Sequence, residues 1–231
     1  MSERIDYDVI VAGASAAGLF AAHLLAKAGW RVAVFERRKA LGEPARTWIV
    51  TDELVRVLGV DPSDTVVNRI DHLEVISPHV KTVVTLKSPD LIVERSLMLA
   101  RLETMAREAG AEIFTGYSVT QAVFTPSHVQ AIIVRGSDHK VIPIRARHLI
   151  GADGTYSRIA QVVNAAPQVT VPVVQAHVKL PANYDPRWVK VWFDRRATRF
   201  FYWLIPESND TAVLGLVADK TENARQLLDN F

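Results

Sequence analysis

The stretch "VIVAGASAAGLFAAHLLAKAG", residues Val9 to Gly29, decides how the rest of the chain is read. Two physical readings compete for it. In favour of a membrane or export segment, Val9 to Ala28 carries only His23 and Lys27 as titratable residues, and Ala26-Lys27-Ala28 mimics a small-residue cleavage site. Against it, the preceding Ser2-Glu3-Arg4-Ile5-Asp6-Tyr7-Asp8 is net acidic where a signal peptide needs positive charge. Alanine and glycine also supply much of the span, where leucine and isoleucine would be expected.

Read instead as local structure, Tyr7 to Ala12 is a β-rich run, Gly13 to Gly18 a turn, and Ala16 to Ala28 a helix that Gly29 stops. A second β-run, Arg31 to Phe35, follows at once. The unit is therefore β-turn-α-β, with a turn of the form Gly13-Ala14-Ser15-Ala16-Ala17-Gly18. A dinucleotide fingerprint uses its first glycine for a tight turn, its second to admit a pyrophosphate, and its third to pack helix on strand. Ser15 stands at the second position. It is small and offers a hydroxyl, while the helix N-terminus still presents N–H groups and the positive end of its dipole. Glu36 lies 18 residues beyond Gly18, where such units place an acid on the ribose hydroxyls. That acid favours a ribose without a 2′-phosphate. Arg37 and Arg38 blur the test, and their plain reading is solvated charge at a strand end.

Bulk composition narrows the class without naming it. The 231 residues are 49% hydrophobic and 23% charged, enough for one large domain or two small ones. The 27 basic and 25 acidic residues are spread along the chain, without the dense basic run of a nucleic-acid binder. There is no cysteine, which removes disulfides, thiolate metal sites and cysteine nucleophiles and fits a cytoplasmic setting. The seven histidines show no metal-ligand spacing.

A second constellation comes late, in "HLIGADGTYSR", where His148 to Ala152 reads as a buried strand running into Asp153-Gly154 and Ser157-Arg158. Together with the first unit, it resembles the flavoprotein family of the para-hydroxybenzoate hydroxylase and geranylgeranyl reductase type. The resemblance implies FAD, with Asp153 and Gly154 against its pyrophosphate and ribose. "VERSLMLARLETMAREAGAEI" is similar to the family's Arg-led helix, which implies a cofactor contact for Arg95. The plain alternative is a solvated residue before a helix that Ser96 caps. "TGYSVTQAVF" resembles the strand that passes the adenine, here at Val119, and Arg46 lies near a further cofactor-contacting arginine of the family. The cofactor set so implied is Gly13, Ser15, Ala16, Ala17, Gly18, Glu36, Arg37, Arg46, Arg95, Val119, Asp153 and Gly154. One departure is that Ala160 stands where the family often has arginine, Arg158 coming two residues early.

The expected fold is α/β, a Rossmann-like FAD-binding domain with a parallel sheet and a β-meander insertion, beside an incomplete antiparallel-sheet substrate domain. The expected bounds are 1–62 with 93–166, and 63–92 with 167–231. Val119 to Thr125, Val129 to Gly136 and Lys140 to Ala146 form the meander, with Pro143 marking its third strand as an edge. Val66 to Ser77 and Val80 to Ser88 read as a hairpin, joined by four later β-runs. "FFYWLIPES" resembles strands of both flavin halogenases and prenyl reductases, which makes Tyr202, Trp203 and, earlier, Trp48 candidates for a substrate wall; sheet core is the plain reading of each.

The resemblance implies an FAD-dependent oxidoreductase that reduces double bonds of an isoprenoid or similar apolar substrate, with NAD(P)H as a candidate electron donor. Hydroxylation or halogenation through a flavin hydroperoxide is the alternative, and a nucleotide-binding or interaction protein without turnover is the alternative from another class. No side chain is nominated as a catalytic acid or base. The family's third motif, a Gly-Asp pair opening a helix, does not follow Ala218, which leaves three readings open: a missing C-terminal part, a partner chain that supplies the rest, or a protein that works without it. No transmembrane segment is expected, though a lipid substrate would suit peripheral membrane association.

Overall fold

The computed structural model describes residues 5–59 and 61–231. Its first elements are β1 (Tyr7–Ala12), α1 (Ala16–Lys27), β2 (Val32–Glu36), β3 (Thr47–Val50), α2 (Asp52–Leu58), β4 (Val66–Ile76), β5 (Lys81–Glu94) and α3 (Arg95–Glu108). There follow β6 (Glu112–Thr115), β7 (Tyr117–Phe124), β8 (Val129–Arg135), β9 (Val141–Gly151), α4 (Arg158–Val162), β10 (Val173–Lys179), β11 (Trp188–Trp192), β12 (Tyr202–Pro206), β13 (Thr211–Val217) and α5 (Ala224–Asn230). The chain divides into two compact units, Met1–Ala45 with Ser96–Gln168 and Arg46–Arg95 with Val169–Phe231.

The first unit is built on a six-stranded sheet in the order β6-β2-β1-β9-β8-β7. β6, β2, β1 and β9 run parallel, whereas β8 and β7 return antiparallel. Val9, Ile10, Val11, Val32, Ala33 and Val34 are all buried, the continuous apolar run expected of parallel strands covered on both faces. α1 turns Gly18, Leu19, Ala22 and Ala26 inward, a stripe of mostly small residues that brings its axis close to the sheet. Gly29, with φ +89°, ends it. In α3 the buried residues are Met98, Leu99, Leu102 and Ala106, at helical spacing. α3 begins at Arg95 itself, so Ser96 is an interior residue rather than the cap.

Two expectations for this sheet are corrected. The third meander strand and the last parallel strand are one 11-residue strand, β9. Its first half, Val141 to Ala146, pairs antiparallel with β8, and its second, Ala146 to Gly151, pairs parallel with β1. The strand that Pro143 was expected to mark as an edge lies between β1 and β8 in the sheet; Pro143 itself sits opposite Ile132 of β8, before the β1 pairing begins, where no strand among the described residues pairs on its other side.

The second unit holds a seven-stranded sheet, β10-β13-β12-β11-β4-β5-β3. It is mixed rather than antiparallel, because β11 runs parallel to β4. No hairpin fixes that register, and charge helps to pin it. Glu74 of β4 lies opposite Lys190 of β11, with its carboxylate 2.5 Å from Lys81 Nζ and 3.4 Å from Lys190 Nζ. Burial pushes the Glu74 carboxyl up, but the two ammonium groups outweigh it and hold it below the usual range. β3 pairs with β5, which carries residues 46–62 and 93–95 into this unit and away from the bounds expected from sequence; of those expected bounds, residues 1–4 and 60 lie outside the described residues. Among the described residues no helix is long and apolar enough to cross a membrane.

Candidate functional site

The site is the turn between β1 and α1. Gly13 has φ +101°, and a Cβ there would run into the Ala152 carbonyl oxygen, so only glycine closes this bend. A Cβ on Gly18 would meet the Gly13 carbonyl oxygen and the Ala152 Cβ, which is how the helix start comes so near the sheet. The backbone closes around the bend, Gly13 N donating to Phe35 O at 2.8 Å and Ala152 N to Ala12 O at 2.8 Å. Two glycine-bearing segments nearly 140 residues apart in sequence are thus packed on each other.

Ser15 is the N-cap of α1, with φ −73° and ψ 171°, and its Oγ accepts from Gly18 N at 3.2 Å. The N–H groups of Ser15, Ala16 and Ala17 have no acceptor among the described residues, and Ser15 and Ala17 are exposed. These donors, at the positive end of a 12-residue helix, have the chemistry that suits an anion.

Glu36, half-buried at the end of β2, turns toward the same bend. Ala14 N donates to its Oε2 at 2.9 Å and Arg38 N to its Oε1 at 2.8 Å. Two backbone donors therefore fix the carboxylate plane and leave further lone pairs on each oxygen for a ligand's hydroxyls. Sequence reasoning found Glu36 but missed Ala14 and Arg38, whose roles belong to the main chain and leave no mark in side-chain type. Arg37 is exposed at the strand end.

The later motif behaves differently. Asp153 directs its carboxylate at α4, accepting from Ser157 Oγ at 2.5 Å and from the N–H of Arg158 at 2.7 Å and Ile159 at 3.4 Å. Ser157 caps the same helix by accepting from Ala160 N at 2.9 Å. Gly154 has φ +92° with open space where a Cβ would stand. What this segment offers a ligand is therefore mainly its backbone. The side chain of Val119 is part of the buried cluster with Ile10, Phe35 and Ile133, which leaves its main chain as what it could offer a ligand.

The other expected residues belong to the second unit. Arg95 N donates to Arg46 O at 2.9 Å, so the two arginines are neighbours by backbone pairing; Arg46 is exposed and Arg95 half-buried. Trp48 is half-buried opposite Val93 in β3. Tyr202 is a correction: it is 2% exposed, with Phe231 stacked on it at 4.1 Å between centroids, and is core rather than substrate wall. Trp203 points to the opposite face, its indole lying over Gly215, and remains half-buried.

The chain matches the FAD binding domain family over residues 6–227. It is 26% identical over 217 residues to digeranylgeranylglycerophospholipid reductase 1 of Methanopyrus kandleri, covering 92% of this chain and 58% of that protein. It is 31% identical over 229 residues to geranylgeranyl diphosphate reductase of Rhodobacter capsulatus, covering 91% of this chain and 54% of that protein. The chain thus spans little more than half the length of these relatives. Among solved structures, a geranylgeranyl bacteriochlorophyll reductase-like protein from Thermoplasma acidophilum shares the fold, with a TM-score of 0.87 at 19% identity over 97% of this chain and 61% of that one. With a βαβ cradle, an anchored acid and a family match over nearly its whole length, this chain belongs to the FAD binding domain family.

Proposed function

We propose that this chain is the cofactor-holding part of an FAD-dependent oxidoreductase that reduces carbon–carbon double bonds of an isoprenoid or similar apolar substrate. The observation that carries the reading is the conjunction of three open N–H groups at Ser15, Ala16 and Ala17 with a Glu36 carboxylate already oriented by Ala14 and Arg38. The donor set suits a diphosphate and the acid suits an unphosphorylated ribose, so the residues present fit FAD. Gly13 and Gly18 keep side chains out of the bend, and the backbone of Asp153 and Gly154 borders it. Arg37, Arg46, Arg95 and the main chain at Val119 are further contacts in this reading.

When bound, FAD supplies the two-electron chemistry, which no side chain of this chain could supply. The protein's part is to bind, orient and shield. The face of the seven-stranded sheet that carries Trp203 is the proposed substrate wall, with Trp48 a weaker candidate. NAD(P)H is the proposed donor, and the setting is cytoplasmic with peripheral membrane contact suited to a lipid substrate. A further segment or a partner chain would complete the site, given the relatives' greater lengths.

Reduction is placed before hydroxylation or halogenation because both relatives described above are named as prenyl reductases. The test is titration of the chain with FAD, followed by anaerobic mixing of the reduced complex with geranylgeranyl compounds. Stoichiometric FAD binding and prenyl-dependent reoxidation support the reading. Oxygen-coupled NAD(P)H consumption stimulated by an aromatic compound would favour the monooxygenase alternative, and a chain that ignores FAD would favour a binding protein without turnover.

A further inference from the structure

In the seven-stranded sheet, β3 and β10 are the two outermost strands in the order of pairing. Both nevertheless reach the same side chain. Thr47 of β3 donates from Oγ1 to Glu207 Oε1 at 2.6 Å, and His177 of β10 lies with Nδ1 3.1 Å from Glu207 Oε2. Glu207 directly follows β12, and its N–H continues the ladder by donating to Thr211 O at 2.9 Å. Strand alternation puts Glu207 on the face of Trp203 and Ile205. His177 shares that face, because Ile205 pairs with Val213 and Val213 with His177. The Asn68 amide secures the same strand end, donating to Pro186 O at 2.8 Å and Pro206 O at 2.9 Å.

We propose that Glu207 is a clasp that joins both edges of the curled sheet, and so a positioning residue for the face that carries Trp203. The inference stands on the geometry of this sheet alone and survives whatever ligand that face receives. Glu207 suits the task because each of its oxygens takes one edge, and because its side chain is only 13% exposed, where hydrogen bonds to a carboxylate count for more than they do in open solvent. The two arms differ. Thr47 is half-buried, whereas the His177 side chain is 66% exposed, so the β10 arm is the one that opens first.

Amide hydrogen exchange on the full chain tests this. Glu207→Ala should raise exchange about tenfold in both β3 and β10. Thr47→Val should raise it in β3, and His177→Phe in β10, each leaving the opposite edge near its wild-type rate; these two decide the matter if Glu207→Ala does not fold. Adding either single change to Glu207→Ala should have no further effect. In protein labelled with 5-fluorotryptophan, the Trp203 resonance, assigned by its loss in Trp203→Phe, should shift in both single variants. Exchange that rises only around residues 205–211, or at neither edge, would overturn the clasp, and an unmoved Trp203 resonance would overturn its positioning role.

Discussion

The two glycine-bearing turns of the first unit look alike in sequence and differ in what they leave for a ligand. At the start of α1, Ser15 takes only the Gly18 N–H, and three donors remain open. At the start of α4, Asp153 and Ser157 between them take the N–H groups of Arg158, Ile159 and Ala160, so of the matching positions only the N-cap N–H of Ser157 is without an acceptor among the described residues. A helix N-terminus is thus an anion site only where its own caps leave it unfinished. The carboxylates show the same contrast. Glu36 accepts one N–H on each oxygen and faces a turn of small residues, whereas Asp153 accepts from the N–H groups of its own helix.

The sharpest break of this comparison is at the glycines. Gly13→Ala should cost about 3 kcal/mol or more, from a strained positive φ together with collision against the Ala152 carbonyl, and should abolish FAD binding. Gly154→Ala meets only the φ penalty, about 1 kcal/mol, and should leave FAD affinity nearly unchanged. Thermal unfolding and quenching of flavin fluorescence read the two effects separately.

Next in size is the exchange of roles between the acids. Glu36→Ala should weaken FAD roughly 100-fold by removing two hydrogen bonds to the ribose, with a small loss of stability. Asp153→Ala should do the reverse, costing about 1–2 kcal/mol of stability as a lost cap while changing affinity less than about threefold. Calorimetric titration beside a denaturant curve distinguishes them. Equal in size to that 100-fold loss is the ligand's own effect: FAD at about 100 times its Kd should stabilise the first unit by about 2.7 kcal/mol, seen as a higher unfolding midpoint that Glu36→Ala largely removes at the same FAD concentration.

The βαβ unit was legible because it is local. Period, glycines and acid all lie within 30 residues, and the structure follows the expected bounds within a residue or two. β9 was not, since one strand changes partners at Ala146, and Pro143 and Arg145 interrupt its apolar pattern just before that change. The parallel join of β4 and β11 was also illegible, because it pairs residues more than 110 positions apart with no turn between them to signal direction. Alternation could say that Tyr202 and Trp203 face opposite ways, but not which face is core. Phe231, at the far end of the described chain, decides that by stacking on Tyr202. In the same way the positions of Asp153 and Val119 were legible but the surroundings of their side chains were not, because those are set by packing rather than by residue type.

The most direct test of the account is an amide-resolved titration of the 15N-labelled chain with FAD. The resonances of Ser15, Ala16 and Ala17 should shift strongly at one equivalent, while those of Arg158, Ile159 and Ala160 stay nearly in place. Shifts confined to the α4 turn, or none at the α1 turn under saturating FAD, would contradict it.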